Sequence, residues 1–299
     1  MGEIMVLFDG VRRRLSLVSL FVFGSVAGCG GSSNHIGTSL KGLAHSDGGK
    51  NVAVLMGSPN GLPGVPTDIL ELDLLFRNTQ VDLGFDEVVQ DNEATTDSIF
   101  SATADASTDA DTLFWYFSGH GNTGIMLAED RSFTFTEVAN AVKAARNNRP
   151  LERLVVMIDS CYSGSFVDGN SPIIPSKIPA NNAEAVRSKC IPMAGALSSS
   201  EDAMAEIGKF QGTLFKQAFV MASSTKNETS ADLGRSRGGA FTWSLRGVIN
   251  DASTSTREAT IKEIAQRTRQ DTEEVGGHTP VWSAFPSAQI LAEKFFLYE

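Results

Sequence analysis

The feature of the sequence that most constrains its fold is a set of short, strongly apolar runs separated by segments with helical periodicity. The runs are NVAVLMG at 51–57, LFWYF at 113–117, LVVMI at 154–158 and FVMA at 219–222. Strands that are buried on both faces of a parallel sheet have this continuous apolar character. We therefore predict an α/β fold of three layers, in which helices flank a mostly parallel central sheet.

The remaining predicted elements follow the same alternation. Helices are predicted at 68–78, 96–106, 137–146, 240–250 and 261–271, further strands at 85–90 and 281–285, and a small hairpin arm at 132–135. The stretch from Phe166 to Gly212 breaks the pattern, because four prolines interrupt it. It is too long for an ordinary connection, so we predict a functional or processed loop, or a disordered one.

The composition excludes some classes of function. The 299 residues include 35 Asp and Glu against 25 Lys and Arg, which gives a formal net charge of −10. A nucleic-acid-binding face needs an excess of basic residues, so we expect no nucleic-acid partner. Three cysteines form neither a disulfide framework nor a zinc site, because their spacings match no such pattern.

Two of the predicted strands run directly into residues that carry chemistry. LFWYF continues into SGHG at 118–121, which contains His120, and LVVMI continues into DSCYSG at 159–164, which contains Cys161. The carboxyl ends of parallel strands meet at one edge of a sheet, where ligands bind. A neighbouring imidazole raises the thiolate fraction of a cysteine, so this pair suits a nucleophile and its base.

These motifs resemble those of the caspase-like cysteine peptidases, and most closely those of the metacaspase and bacterial caspase-like branch. The resemblance covers about residues 50–290 and implies the three-layer caspase-like fold. It also implies that Cys161 attacks the scissile carbonyl and that His120 transfers a proton to the leaving amine. The N–H groups of Gly121 and Cys161 would form the oxyanion hole.

The same resemblance implies a pocket for a basic side chain. Residues 62–68 resemble the segment in which metacaspases place a pocket carboxylate, here Asp68, and Ser118 and Asp159 match two further pocket positions. Two carboxylates favour a cation and repel an acid, so we expect a protein or peptide substrate cut after Arg or Lys. The structural alternative is that Asp68 lies at a helix N-terminus and Asp159 in a turn.

Further family features concern substrate binding and calcium. Residues 228–232 resemble a QTSAD segment, which implies Asp232 as another substrate-binding residue, although Lys226 stands where metacaspases often have an acid. Asp168 matches a calcium-binding position, but the acid-rich stretch expected between the two motifs is reduced to Glu129 and Asp130. No cofactor is required by the predicted chemistry, and Ca²⁺ remains a candidate ligand.

The loop at 166–212 lies where caspase relatives are cut into two subunits. Its basic candidates for self-cleavage are Lys177, Arg187, Lys189 and Lys209, and the alternative is that these are ordinary solvated side chains. Cys190 in the same loop has no evident partner, and we interpret it as incidental.

The N-terminus predicts export. Arg12–Arg14 precede fourteen uncharged residues, and fourteen residues make about 21 Å of helix, too short for the roughly 30 Å hydrocarbon core of a membrane. The end of this run, Val26–Cys29, resembles the lipobox of bacterial lipoproteins, which implies cleavage before Cys29 and lipid on its thiol. The alternative is an ordinary signal peptide that contains a cysteine.

The predicted organisation is therefore a lipoprotein signal peptide at 1–28, a lipidated cysteine and flexible Gly/Ser tether at 29–50, and a caspase-like peptidase domain at 51–299. The expected location is the bacterial cell envelope, facing the periplasm or the cell surface, with the membrane contacted through the lipid anchor. Two other functions stay open. One is a catalytically silent caspase-like binding module, and the other is a transpeptidase or amide hydrolase that uses the same dyad.

Overall fold

The computed structural model describes residues 40–42, 49–78, 83–167, 187–190, 207–254, 259–285 and 296–298. Its strands are β1 (Leu40–Gly42), β2 (Lys50–Ser58), β3 (Glu87–Asp91), β4 (Ala110–Gly119), β5 (Gly121–Asn122), β6 (Ile125–Leu127), β7 (Ser132–Phe133), β8 (Leu151–Asp159), β9 (Arg187–Ser188), β10 (Phe215–Ala222), β11 (Ala231–Asp232), β12 (Val281–Phe285) and β13 (Phe296–Tyr298). Its α-helices are α1 (Val65–Phe76), α2 (Thr96–Ser107), α3 (Phe135–Ala145), α4 (Ala240–Thr254) and α5 (Ile261–Gly276).

A six-stranded sheet forms the centre, in the order β12-β10-β8-β4-β2-β3. The pairs β10–β8, β8–β4, β4–β2 and β2–β3 are parallel, and only β12 runs antiparallel, against β10. The apolar runs that predicted buried strands occupy β2, β4, β8 and β10. The predicted α/β fold with a mostly parallel sheet is confirmed.

The strand β4 shows how the side-chain alternation builds two cores. Phe114 and Tyr116 lie in the core on the face covered by α1, α4 and α5. Leu113, Trp115 and Phe117 lie in the core on the opposite face, covered by α2 and α3. Successive side chains of a strand point to opposite faces, so an entirely apolar strand requires helices on both sides. The result is three layers, as predicted.

Local signals explain where some element boundaries differ from the prediction. The helix α1 begins at Val65, three residues earlier than predicted, because Pro66 is tolerated in the first turn, where an N–H has no partner anyway. The helix α3 begins at Phe135, after a capping box between Thr134 and Glu137. Of the predicted hairpin arm, only β7 is a strand, and it pairs antiparallel with β6.

Two short pairings involve segments that were expected to be irregular. The strand β1 pairs antiparallel with β13, so residues 40–42 of the predicted tether form a strand. The strand β9, inside the irregular stretch at 166–212, pairs antiparallel with β11. Three-residue and two-residue strands carry too little periodicity to be recognised without their partners. The predicted signal peptide and Cys29 lie outside the described residues.

The end of the sheet opposite the carboxyl ends of its parallel strands is held by one buried arginine. Arg146, just after α3, donates to the carbonyls of Ser107, Ala110, Arg149 and Pro150. These carbonyls belong to the end of α2, the start of β4 and the turn before β8. Carbonyl groups that are buried without a donor are costly, so this guanidinium joins three elements.

Replacing Arg146 by Ala should lower the free energy of unfolding by about 3 kcal/mol, because several carbonyls lose their donor. Urea denaturation followed by circular dichroism measures the change. The matched control is Arg149→Ala, since Arg149 is exposed and donates a side-chain hydrogen bond to Thr108 O at 3.2 Å. The control should change stability by less than about 1 kcal/mol. Equal losses of stability in the two variants would contradict the proposed role of Arg146 in joining the three elements.

Candidate active site

The carboxyl ends of β4 and β8 bring the two predicted catalytic residues to one edge of the sheet. The strands are parallel neighbours, with Ser118 opposite Asp159. His120 directly follows β4, and Cys161 stands two residues after the end of β8. The sequence-based placement of His120 and Cys161 on a shared edge is confirmed.

The turn after β8 presents Cys161 in a fixed orientation. Tyr162 adopts a left-handed backbone conformation with φ 57°, and its N–H donates to Glu228 O at 2.9 Å. The carbonyl of Ser160 accepts hydrogen bonds from the hydroxyls of Ser223 and Ser224, at 3.0 and 3.2 Å. A non-glycine residue in this region of backbone space is held there by its surroundings.

The thiol of Cys161 is completely buried. Its Sγ accepts a hydrogen bond from the backbone N–H of Ser230 at 3.2 Å and lies 3.4 Å from the hydroxyl of Ser188. Burial raises the pKa of this thiol well above its ordinary value, and the neighbouring thiol of Cys190 acts in the same direction. In this arrangement Cys161 is therefore protonated.

His120 is oriented by a backbone carbonyl. Its Nε2 lies 3.3 Å from Asn60 O, and a carbonyl only accepts, so Nε2 carries a proton. Its Nδ1 is buried and has no hydrogen-bond partner among the described residues. Within those residues no hydrogen bond joins His120 to Cys161. Nδ1 is thus the ring nitrogen that is available for proton transfer.

The loop that supplies this carbonyl is held by Glu129. The Oε1 atom of Glu129 accepts from Asn60 N at 3.1 Å and from Ser58 Oγ at 3.0 Å. The next acid, Asp130, accepts from the backbone N–H and the hydroxyl of Thr96, at 2.7 and 2.6 Å. Glu129 and Asp130 therefore organise the protein's own polar groups.

The predicted pocket residues converge on a lysine of the same chain. Lys189 Nζ lies 3.1 Å from Asp68 Oδ2, 3.0 Å from Asp159 Oδ2 and 2.9 Å from Ser118 Oγ. The side chains of Lys189, Asp68 and Asp159 are all completely buried. The interpretation of Lys189 as an ordinary solvated side chain is therefore wrong, because two carboxylates and a hydroxyl compensate its desolvation.

The two carboxylates differ in pKa. Burial raises the pKa of Asp68 to about 6, although the charge of Lys189 opposes the shift. Burial acts in the same direction on Asp159, but the charge and hydrogen bond of Lys189, with hydrogen bonds from Thr242 and Ser230, hold its pKa below the ordinary value. The charges of Asp159 and Asp68 raise the pKa of Lys189 despite its burial. The pocket therefore carries a lysine cation and at least one carboxylate at neutral pH.

Several pocket residues were not predicted from the sequence. Ser230 Oγ and Thr242 Oγ1 donate to the two oxygens of Asp159, each at 2.8 Å. Gly239 N donates to Asp68 Oδ1 at 2.6 Å, and a Cβ at Gly239 would overlap the Asp159 carboxylate and the Lys189 ammonium. The one sequence signal for this side of the pocket is the Gly238–Gly239 pair directly before α4.

Asp232 lies beside this pocket but does not touch Lys189. Its carboxylate accepts from the backbone N–H of Gly64 at 3.2 Å and of Gly234 at 2.8 Å. Its charge contributes to the raised pKa of Lys189. Asp232 thus shapes the loop before α1, and its role in substrate binding stays a prediction.

The backbone around Lys189 is held as an extended strand across the site. Lys189 N donates to Ser230 O at 3.1 Å, and β9 continues this pairing toward β11. The carbonyl of Lys189 accepts from Gly121 N at 3.0 Å. Gly121 is one of the two predicted oxyanion-hole donors, and it already holds the carbonyl of the residue whose side chain fills the pocket. Among the described residues, no hydrogen bond joins the other donor, Cys161 N, to this carbonyl.

Cys190 has partners, contrary to the sequence-based interpretation. Its Sγ accepts from Ser188 Oγ at 2.9 Å, and its N–H donates to the same hydroxyl at 3.3 Å. The sequence could not show this, because contact between side chains two residues apart depends on the backbone conformation between them.

Some predicted features are not placed by the structure. Asp168 and Lys177 lie outside the described residues, as does Cys29. In the part of the chain that is described, no cluster of three His, Cys, Asp or Glu residues could hold a metal ion, so the calcium site stays a prediction. No helix of the described ranges is long and apolar enough to cross a membrane.

Comparison with known proteins gives a family match over most of the chain. The model of the family described as caspase domain matches residues 50–289, well over half of the sequence. A search of curated proteins found no match. Among solved structures, caspase-1 from Spodoptera frugiperda is similar, with a TM-score of 0.48 and 15% identity over 82% of this chain and 90% of that chain.

Acidification should loosen the segment at 187–190. The charge of Lys189 lowers the pKa of Asp68 against the effect of burial, so this carboxyl binds a proton more tightly once the lysine has left the pocket. Protonation of Asp68 as the pH falls toward and through about 6 therefore favours release of Lys189. The protection of the Lys189 and Gly121 amides against hydrogen exchange should fall roughly tenfold between pH 7 and pH 5, after correction for intrinsic rates. The amide of Val156, inside the sheet, is the internal control.

The variant Asp68→Asn tests the assigned group, because it removes the titrating carboxyl. Its protection at Lys189 should be lower at pH 7 and should no longer change between pH 7 and pH 5. An unchanged pH dependence in this variant would assign the effect to another group.

Proposed function

The chain belongs to the caspase family of cysteine peptidases, and on that premise we propose that it is an endopeptidase that cleaves peptide bonds after lysine or arginine. One observation carries the proposal. The side chain of Lys189 fills the pocket of Asp68 and Asp159 while its carbonyl accepts a hydrogen bond from Gly121. Lys189 thereby occupies the position that the substrate residue before the cleaved bond would take.

The proposed reaction begins with proton transfer from Cys161 to Nδ1 of His120. The Cys161 sulfur attacks the carbonyl carbon, and the developing oxyanion is stabilised by the N–H of Gly121, with the N–H of Cys161 as the second donor. His120 then gives its proton to the leaving amine, and water hydrolyses the thioester. The N–H of Ser230, 3.2 Å from Sγ, stabilises the thiolate.

The proposed specificity follows from the charge of the pocket. An ammonium or guanidinium replaces its lost hydration with two carboxylates and the Ser118 hydroxyl, whereas an aspartate side chain would face like charges. Burial makes this discrimination strong, since charges interact more strongly away from water. The pocket is therefore expected to reject the acidic residues after which caspases proper cleave.

We also propose that the chain cuts itself between Lys189 and Cys190. Of the basic candidates in the loop that the structure describes, Lys189 is the one whose side chain lies among the pocket carboxylates. Arg187 is in β9, two residues earlier, and Lys209 lies in a short 3₁₀ helix at Ile207–Phe210. Cleavage would break the chain directly after Lys189. The segment could then leave the pocket, and other substrates could enter the site.

For the N-terminus we propose export and lipid anchoring at Cys29, on the basis of the basic patch, the apolar run and the lipobox-like Val26–Cys29. The peptidase domain would then act at the cell envelope. Mass spectrometry of the mature protein from a bacterial host should find an acylated cysteine at position 29, and an unmodified N-terminus upstream of it would contradict the anchor.

Fluorogenic peptides that end in Lys or Arg before the reporter should be hydrolysed, and peptides that end in Asp should not. In Cys161→Ala the rate should fall by at least about a thousandfold. In Asp68→Asn, kcat/KM for Lys peptides should fall by about 30-fold or more, because the ammonium keeps only one carboxylate. The matched control is Asp73→Asn on the same helix, where the carboxylate contacts Arg77 Nε at 2.7 Å.

The outcomes of this assay separate the candidate functions. Hydrolysis that survives in Cys161→Ala would refute the assigned nucleophile. An inactive wild-type protein would favour the silent binding module, and products joined to an added amine would favour the transpeptidase.

Self-cleavage should yield a fragment that begins at Cys190. Lys189→Ala should remove this fragment, because the pocket loses its occupant, whereas Lys209→Ala should not. Intact-mass analysis after incubation of each variant measures the products. A fragment that begins at Cys190 in the Cys161→Ala protein would show that another protease makes the cut.

A further inference from the structure

Two thiols lie side by side in the site. Both contact the same hydroxyl, because Ser188 Oγ lies 3.4 Å from Cys161 Sγ and 2.9 Å from Cys190 Sγ. Each thiol also shifts the pKa of the other. Neither forms a disulfide in this structure. Cys190 directly follows Lys189, so the seating of Lys189 in its pocket brings a second sulfur to the sulfur of the proposed nucleophile.

We propose that Cys161 and Cys190 are a disulfide-forming pair, and that their disulfide masks the nucleophile reversibly while Lys189 occupies the pocket. The masking rests on the proposed function, because it requires Cys161 to be the nucleophile. The formation of the disulfide does not, since it requires only that the two thiols are held together.

The backbone on both sides of the pair is fixed, which favours closure of the bond. Cys190 is held by the buried ammonium of Lys189, by the hydrogen bond from Gly121 N to Lys189 O at 3.0 Å, and by its own N–H on Ser188. Cys161 is held by the turn after β8. A disulfide between positioned cysteines avoids most of the entropy of bringing the chain ends together.

The two sulfurs differ in reactivity in a way that assigns the order of steps. The neighbouring thiol of Cys161 lowers the pKa of Cys190 to about 7, and Ser188 and Tyr162 act in the same direction. Cys190 is partly exposed, whereas Cys161 is buried and has a raised pKa. At neutral pH the accessible thiolate, which attacks external disulfides, is therefore that of Cys190.

The oxidant required is a disulfide, either a small molecule or an exposed protein disulfide. The Cys190 thiolate attacks one sulfur of the oxidant, forms a mixed disulfide and releases one thiolate. Cys161 then loses its proton and attacks Cys190 Sγ, which forms the Cys161–Cys190 bond and releases the second thiolate. The two protein thiols are oxidised, the oxidant is reduced to two thiols, and the two protons end on them.

The test uses the full chain carrying His120→Ala, which keeps both thiols and, without the proposed base, stays uncut. After incubation with oxidised glutathione, digestion without reductant and mass spectrometry should show a peptide pair joined through Cys161 and Cys190, which dithiothreitol separates. Adding Lys189→Ala should slow formation of the link at least tenfold, because the second thiol leaves the site. Adding Lys209→Ala instead is the matched control and should leave the rate unchanged.

Three results would overturn the proposal. These are glutathione on Cys161 without a link to Cys190, a link that includes Cys29, and equal rates in the Lys189 and Lys209 variants. In the wild-type chain, the linked form should lack peptidase activity until it is reduced. A link that forms in a chain without peptidase activity in either state would leave the disulfide standing and remove the proposed function instead.

Discussion

The structure of the site depends on one buried ionic cluster. The ammonium of Lys189 lies between the carboxylates of Asp68 and Asp159, and none of the three side chains is exposed. Charges removed from water cost several kcal/mol each unless geometry and hydrogen bonds compensate them. Here the compensation comes from α1, β4, β8 and the start of α4, so four elements must be in place before the lysine can enter. The cluster therefore forms only after these four elements have assembled at the edge of the sheet.

The cluster has consequences along the backbone. Once the ammonium is bound, Lys189 N pairs with Ser230, and Lys189 O reaches Gly121. The next residue, Cys190, is then carried to Cys161. Lys189 thus fills the proposed specificity pocket with its side chain and places its carbonyl on a proposed oxyanion donor, while Ser188 beside it contacts the proposed nucleophile. Under the proposed function, this is the geometry expected of a substrate, and equally of a chain that shields its own site until the segment is cut or released.

Much of the fold followed from patterns that act over short distances. The apolar run at 113–117 requires cover on both faces, which the two cores supply. The motifs at 118–121 and 159–164 follow directly from their strands, so a parallel pairing was enough to place His120 and Cys161 on one edge. Asp68, Ser118 and Asp159 were grouped by resemblance to a family, and the structure brings all three to the same ammonium. The β1–β13 and β9–β11 pairings were missed, because strands this short have no pattern apart from their partners.

The sequence by itself determined the class of fold and the two residues at the strand ends, because periodicity and strand ends are local properties. The acids of the pocket were grouped by the resemblance to a family. The tertiary structure alone decided which of four basic residues fills the pocket and that Cys190 has a partner. It also showed that Glu129 orients the loop facing His120 and that Gly239 lies against the pocket where a side chain would not fit. Each of these depends on distances between residues far apart in the chain, and the energy of a buried charge or thiol is set by what surrounds it after folding.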